Sequence, residues 1–187
     1  MNRLLPGNVP INEHIDFLLQ SGKSFAVCYC DLDNFKPFND VYGYRKGDEM
    51  IQFTGKLLND VCDPRHDFIG HIGGDDFILV MQSPDWEKRC GQALASFAQT
   101  SLVLFEARHR STGGYSSEDR QGRVVHHPLP TLSIGVILAT PETFHSHYEI
   151  AEAATVAKKM AKKKPGNSLF IERRELAQPE MANNYHG

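Results

Sequence analysis

Apolar residues in this chain fall into short runs separated by turn residues, and the spacing inside each run predicts an element. Residues 24–30 are apolar and β-rich throughout, the pattern of a strand covered on both faces, so a central strand is expected there. From 46 to 61, apolar positions recur as Met50, Phe53, Leu57 and Val61. This three-and-four spacing predicts a helix with one buried stripe and puts Asp48 in its first turn. Residues 66–72 and 77–81 read as two strands joined by Gly73-Gly74, a hairpin whose turn needs backbone angles that other residues resist.

Further along, Ser83-Pro84-Asp85 reads as a helix start: a capping hydroxyl, a proline at the first position and an acid at the positive end of the dipole. The helix is expected to run to about Arg108, with Trp86, Leu94, Phe97, Leu102 and Phe105 packing on the sheet. Residues 110–127 are polar and aperiodic, an inserted loop or hairpin, before strand character returns at 132–138. Ser146-His147-Tyr148-Glu149 is a capping box opening a last helix through Ala161, and Pro165-Gly166 breaks it ahead of a short strand at 168–171. The order of elements predicts an α+β fold, helices packed on a mainly antiparallel sheet.

The length, 187 residues, suits one domain with a substantial core. We read that domain as residues 1–172, with the insertion at 110–127, followed by a tail at 173–187 expected to be mobile. A formal charge of −3 gives no global reason to expect nucleic-acid binding. No apolar stretch approaches the roughly 20 residues of a membrane span, so a cytoplasmic location without direct membrane insertion is expected. Cys28, Cys30, Cys62 and Cys90 lack the paired spacing of a zinc site and read as reduced thiols, and His126, His127, His145 and His147 as solvated loop residues.

Chemistry concentrates in two segments. Asp31-Leu32-Asp33-Asn34-Phe35-Lys36 places carboxylates where an apolar strand gives out, and Gly73-Gly74-Asp75-Asp76-Phe77 places carboxylates on a glycine turn. Acids at strand ends point to a bound cation. Alone, Asp31 and Asp75 would read as solvated turn residues. Their combination with Asn34, Phe35, Lys36, Asn39, Asp40, Gly43, Gly47 and Asp48 resembles the GGDEF family, the diguanylate cyclases that join two GTP molecules into cyclic di-GMP. The resemblance runs from about Leu5 to about Ile171.

That resemblance implies a ferredoxin-like, nucleotidyl-cyclase palm with a five-stranded sheet, and a set of roles. Asp31, the backbone carbonyl of Leu32 and Asp75 would hold Mg2+ or Mn2+, and Asp75, Asp76 and Lys36 would form the catalytic group, Asp75 also assisting deprotonation of the 3′-hydroxyl. Gly73 and Gly74 would let nucleotide approach the hairpin backbone. Asn39 and Asp48 would read guanine, the carboxylate accepting from N1 and N2 hydrogens that adenine lacks. The amides of Asn34 and Phe35, with Lys36 and Lys162, would receive phosphates. Among Lys158, Lys159, Lys162, Lys163 and Lys164 only Lys162 matches the family's phosphate lysine, and the others are expected to be solvated.

Three departures matter. Asp76 stands where the family usually has glutamate, Gly166 stands where it commonly has an arginine, and Pro64 replaces the arginine of the inhibitory Arg-x-x-Asp motif that would end at Asp67. Weakened but retained activity and a lost inhibitory site are expected. His71 is read as structural. Catalysis would need a homodimer, because each copy holds one GTP. Further domains of a longer parent chain are expected as partners. Two alternatives stay open: a weak or inactive GTP-binding GGDEF domain that regulates a linked domain such as a phosphodiesterase, and a protein-interaction domain.

Overall fold

Alternation along the central strand sets the layering of this molecule, which a computed structural model describes for residues 5–173. Among the described residues the helices are α1 (Asn8–Gln20), α2 (Phe35–Tyr42), α3 (Tyr44–Val61), α4 (Trp86–Thr100), α5 (Ala107–Thr112) and α6 (His147–Lys163). The strands are β1 (Phe25–Asp33), β2 (Asp67–Gly73), β3 (Asp76–Met81), β4 (Gly114–Glu118), β5 (Val124–Pro128), β6 (Thr131–Ala139) and β7 (Ser168–Glu172). Five of them form one sheet in the order β2-β3-β1-β6-β7, antiparallel except for the β6–β7 pair. The mainly antiparallel five-stranded palm expected from the chain is the one observed.

Even-numbered β1 residues (Ala26, Cys28, Cys30, Leu32) cluster with Phe38 of α2, Met50, Leu57 and Leu58 of α3, and Cys90, Ala93 and Phe97 of α4. Odd-numbered Phe25 and Val27 cluster with Ile11, Ile15, Leu18 and Leu19 of α1 and Ile150, Ala153, Ala154 and Ala157 of α6. Each large side chain buried this way contributes about 1.5–3 kcal/mol. Helices thus cover both faces, and Asp31 and Asp33, also odd-numbered, fall on the α6 side. There Gly135 of β6 brings the helix close: a Cβ on it would lie 2.6 Å from the backbone of Ala157 and Lys158.

Several boundaries differ from expectation. β1 runs to Asp33, because Asp31, Leu32 and Asp33 pair with Ser133, Leu132 and Thr131 of β6. α3 begins at Tyr44, which moves Asp48 into the second turn. Gly73 pairs with Asp76, so the hairpin turn is Gly74-Asp75, Gly74 holding φ +54°. Ser83 does not cap α4; its hydroxyl donates to Asp67 and the helix starts at Trp86. That helix stops at Thr100, passes through a 3-10 turn (Ser101–Leu104) and resumes as α5. Leu102 is therefore exposed rather than packed.

The insertion is a hairpin, β4 with β5, led by α5. α1 was absent from the sequence-based order, although Ile11, Ile15, Leu18 and Leu19 carry a helical stripe. In α6, Ser146 accepts from the Glu149 amide as a cap should, while the Glu149 carboxylate accepts from the His145 amide instead of completing the box. His147 is no solvated loop residue: its Nδ1 bonds Asp16 at 2.6 Å. The four cysteines are free thiols, three of them buried. The tail beyond Arg173 lies outside the described residues.

Candidate active site

The site forms where β1 ends, the β2–β3 turn folds over and α6 passes. Asn34 makes the exit from β1, the only non-glycine residue with positive φ (+59°) among those described, a conformation asparagine tolerates better than most. One residue later the chain is α2, with no side chain capping its start. The unbonded amides of that first turn open on a cleft of about 470 Å³. Its walls include Asp31, Leu32, Asn34, Phe35, Lys36, Asn39, Asp75, Asp76 and Lys162.

The carboxyl groups of Asp31 and Asp75 reach one another within hydrogen-bonding distance. Burial pushes the Asp75 carboxyl up, and the hydrogen bond and charge of Asp31 add to it, bringing it to about 7. Burial would raise Asp31 too, but the hydrogen bonds of Lys162 and Asp75 and the charges of Lys158 and Lys162 outweigh it, and Asp31 lies below the usual carboxylate range. Carboxylates crowded in this way are a suitable donor set for a hard divalent cation.

Both lysines come from one face of α6, four residues apart. Lys162 Nζ lies 2.8 Å from Asp31 and 3.3 Å from Asp33. Lys158, expected to be solvated, instead lies 2.6 Å from Asp76 and 3.4 Å from Asp31. Burial alone would lower both ammonium groups, yet the carboxylates they bond raise both. The i, i+4 spacing of two lysines was the signal that could have found Lys158, and the i, i+2 spacing from Asp31 the one for Asp33. Asp33 also accepts from the hydroxyls of Thr131 and Ser133.

Asn39 reaches the cleft because Gly47 leaves room for it. A Cβ at Gly47 would sit 1.7 Å from Asn39 Oδ1, which is buried without a hydrogen-bond partner among the described residues. Asp48, next to Gly47 on α3, is exposed and does not line the cleft, and neither do Gly73 and Gly74, which precede Asp75 in the exposed turn. His71 stacks on Phe77 at 4.6 Å and bonds the Gly74 carbonyl, bracing the turn. Asp67 is filled: Oδ1 accepts from the amides of Gln82 and Ser83, and Oδ2 from the Asp63 amide and the Ser83 hydroxyl. Gly166 faces an adjoining cleft with Lys162 and Lys164.

The profile of the family described as "Diguanylate cyclase, GGDEF domain" matches residues 8–168. Over 53 residues the chain is 45% identical to a diguanylate cyclase of Vibrio cholerae, covering 28% of this chain and 16% of that protein. Over 171 residues it is 26% identical to the diguanylate cyclase DgcP of Escherichia coli, covering 89% of this chain and 45% of DgcP. The chain thus spans less than half the length of these two relatives. The isolated GGDEF domain of TpbB (YfiN) from Pseudomonas aeruginosa shares the fold, with a TM-score of 0.68 at 20% identity over 90% of this chain and 91% of that one. With its acidic turn, its strand-end carboxylates and a family profile spanning nearly the whole described region, this chain belongs to the GGDEF family of diguanylate cyclase domains.

Proposed function

We propose that the chain binds GTP with a divalent cation, Mg2+ or Mn2+, and that two copies join two GTP molecules into cyclic di-GMP. The observation that carries this is the meeting of Asp31 and Asp75 in the cleft, opposite the uncapped start of α2. Asp31, Asp75 and the Leu32 carbonyl would hold the cation. When bound, it neutralises charge on the triphosphate. The amides at Asn34 and Phe35 and the ammonium groups of Lys36 and Lys162 orient the phosphates. Asn39, its oxygen tucked against Gly47, offers its amide NH2 to the acceptor edge of the purine, and Asp48, exposed beside Gly47 and outside the cleft walls, would supply the guanine-specific acceptor only to a base that extends beyond them.

Asp75 assists removal of the 3′-hydroxyl proton as that oxygen bonds the α-phosphorus of the second nucleotide and pyrophosphate leaves. Each copy presents one nucleotide, so the two sites face each other in an isologous dimer. A cytoplasmic location fits this substrate, and none of the described helices is long and apolar enough to cross a membrane. Incubation with GTP and Mg2+ at several protein concentrations, with product read by chromatography, tests the proposal: cyclic product should rise more steeply than protein concentration. A chain that binds GTP and forms no cyclic product would instead be a regulatory module, a reading favoured by the engagement of Asp76 with Lys158.

A further inference from the structure

Asp31 and Asp76 are direct partners across β1 and β3, two acids facing each other on neighbouring strands. Like charges in that register repel, and a cation between them offsets the repulsion. The structure supplies one from the protein. Lys158 Nζ approaches Asp76 Oδ1 to 2.6 Å and Asp31 Oδ2 to 3.4 Å, with the lysine side chain 27% exposed and Asp31 10%. The helix backbone at Lys158 rests on Gly135 of β6, which brings the base of this side chain close to the sheet.

Nucleotidyl-transfer sites commonly use two divalent ions clamped by shared carboxylates. Here four carboxylates, Asp31, Asp33, Asp75 and Asp76, gather about two ammonium groups, Lys158 and Lys162. Asp75 is the member of the group that no lysine holds.

We propose that Lys158 is a positioning residue whose ammonium group serves as a resident cation for the Asp31–Asp76 pair, so that each site takes up one divalent ion with its nucleotide rather than two. This rests on the assignment of the cleft as a GTP–metal site. Lys158 also keeps Asp76 turned toward α6, which separates the roles of the two turn acids: Asp75 faces the ion and Asp76 faces the lysine.

The test counts ions. The protein is equilibrated with Mn2+ and α,β-methylene-GTP, and the Mn2+ and nucleotide retained above the free concentrations are measured by ultrafiltration. The expected ratio is one Mn2+ per bound nucleotide for the native chain and for Lys158→Arg, and two for the neutral variants Lys158→Met and Lys158→Gln. A salt bridge with only a structural role would alter melting temperature and leave this ratio alone. Two ions in the native chain, or one in every folded neutral variant, overturns the inference while leaving GTP binding intact. Retention of no nucleotide by the native chain overturns the functional assignment and this inference with it.

Discussion

The β2–β3 hairpin carries an acid at each end, and the fold treats the two in opposite ways. At the open end, Asp67 receives three backbone amides and a hydroxyl, so its lone pairs are used. At the turn end, Asp75 meets the carboxyl of Asp31, and its own carboxyl is pushed to about 7. A carboxylate surrounded by donors stabilises the fold. One surrounded by other carboxylates is paired only by a proton or a metal. The same residue type in one hairpin is thus structural at one end and chemical at the other, and the inhibitory role that the motif position implies for Asp67 meets a side chain already occupied.

The sharpest way to break this contrast is Asp75→Asn, which should lower cyclic product formation by about 10²–10⁴-fold, the range for loss of a general base, with circular dichroism unchanged. The opposite substitution, Asp67→Ala, strands four donors. It should lower the unfolding free energy in urea by about 3 kcal/mol while product per folded molecule stays the same within about twofold. Gly47→Ala would drive a methyl into Asn39 Oδ1 and swing the amide away. The KM for GTP should rise about tenfold, as when a site loses one polar contact to its substrate.

The smallest effect concerns pH. The folded chain holds the Asp75 proton up to about 7, whereas an unfolded aspartate releases it near 4. The stability this contributes is therefore full below about 4 and lost as pH rises through 7. In EDTA, the melting temperature of Asp75→Asn should match the native chain near pH 4, pull ahead of it as pH rises toward 7 and level off above 7, each kcal/mol of difference reading as about 2–4 °C in a chain of this size.

Elements with a strong local period were readable from residue order: the central strand, the buried stripe of α3, the hairpin and the Ser146 cap of α6. What local pattern could not give was set by pairing between distant segments. β1 runs three residues past its apolar run because β6 supplies partners for Asp31, Leu32 and Asp33, two of them polar. Ser83 looks like a helix cap until Asp67, sixteen residues earlier, takes its hydroxyl. The start of α1 has the look of a turn in residue order, because Pro6, Gly7, Asn8 and Pro10 stand there ahead of its buried stripe.

At the site, the residues recognised through family resemblance gather mostly in one cleft, whereas Lys158 and Asp33, visible in residue order without an assigned role, gain one only from their ion pairs. Lysines near a helix C-terminus have an ordinary explanation in the dipole, and residue order sets Lys158 apart from Lys159 only by its four-residue spacing from Lys162. What tells them apart in the fold is that Lys158 reaches Asp76 and Asp31.

The packing of α6 on the sheet has a further consequence. Because Gly135 presents no side chain, α6 lies against β6 main chain to main chain at Ala157 and Lys158, and the spacing between them is set by backbone van der Waals contact rather than by side-chain torsions. The base of the lysine wall is thereby held at a fixed distance from the sheet, and only the ends of its side chains are left to adjust to a ligand.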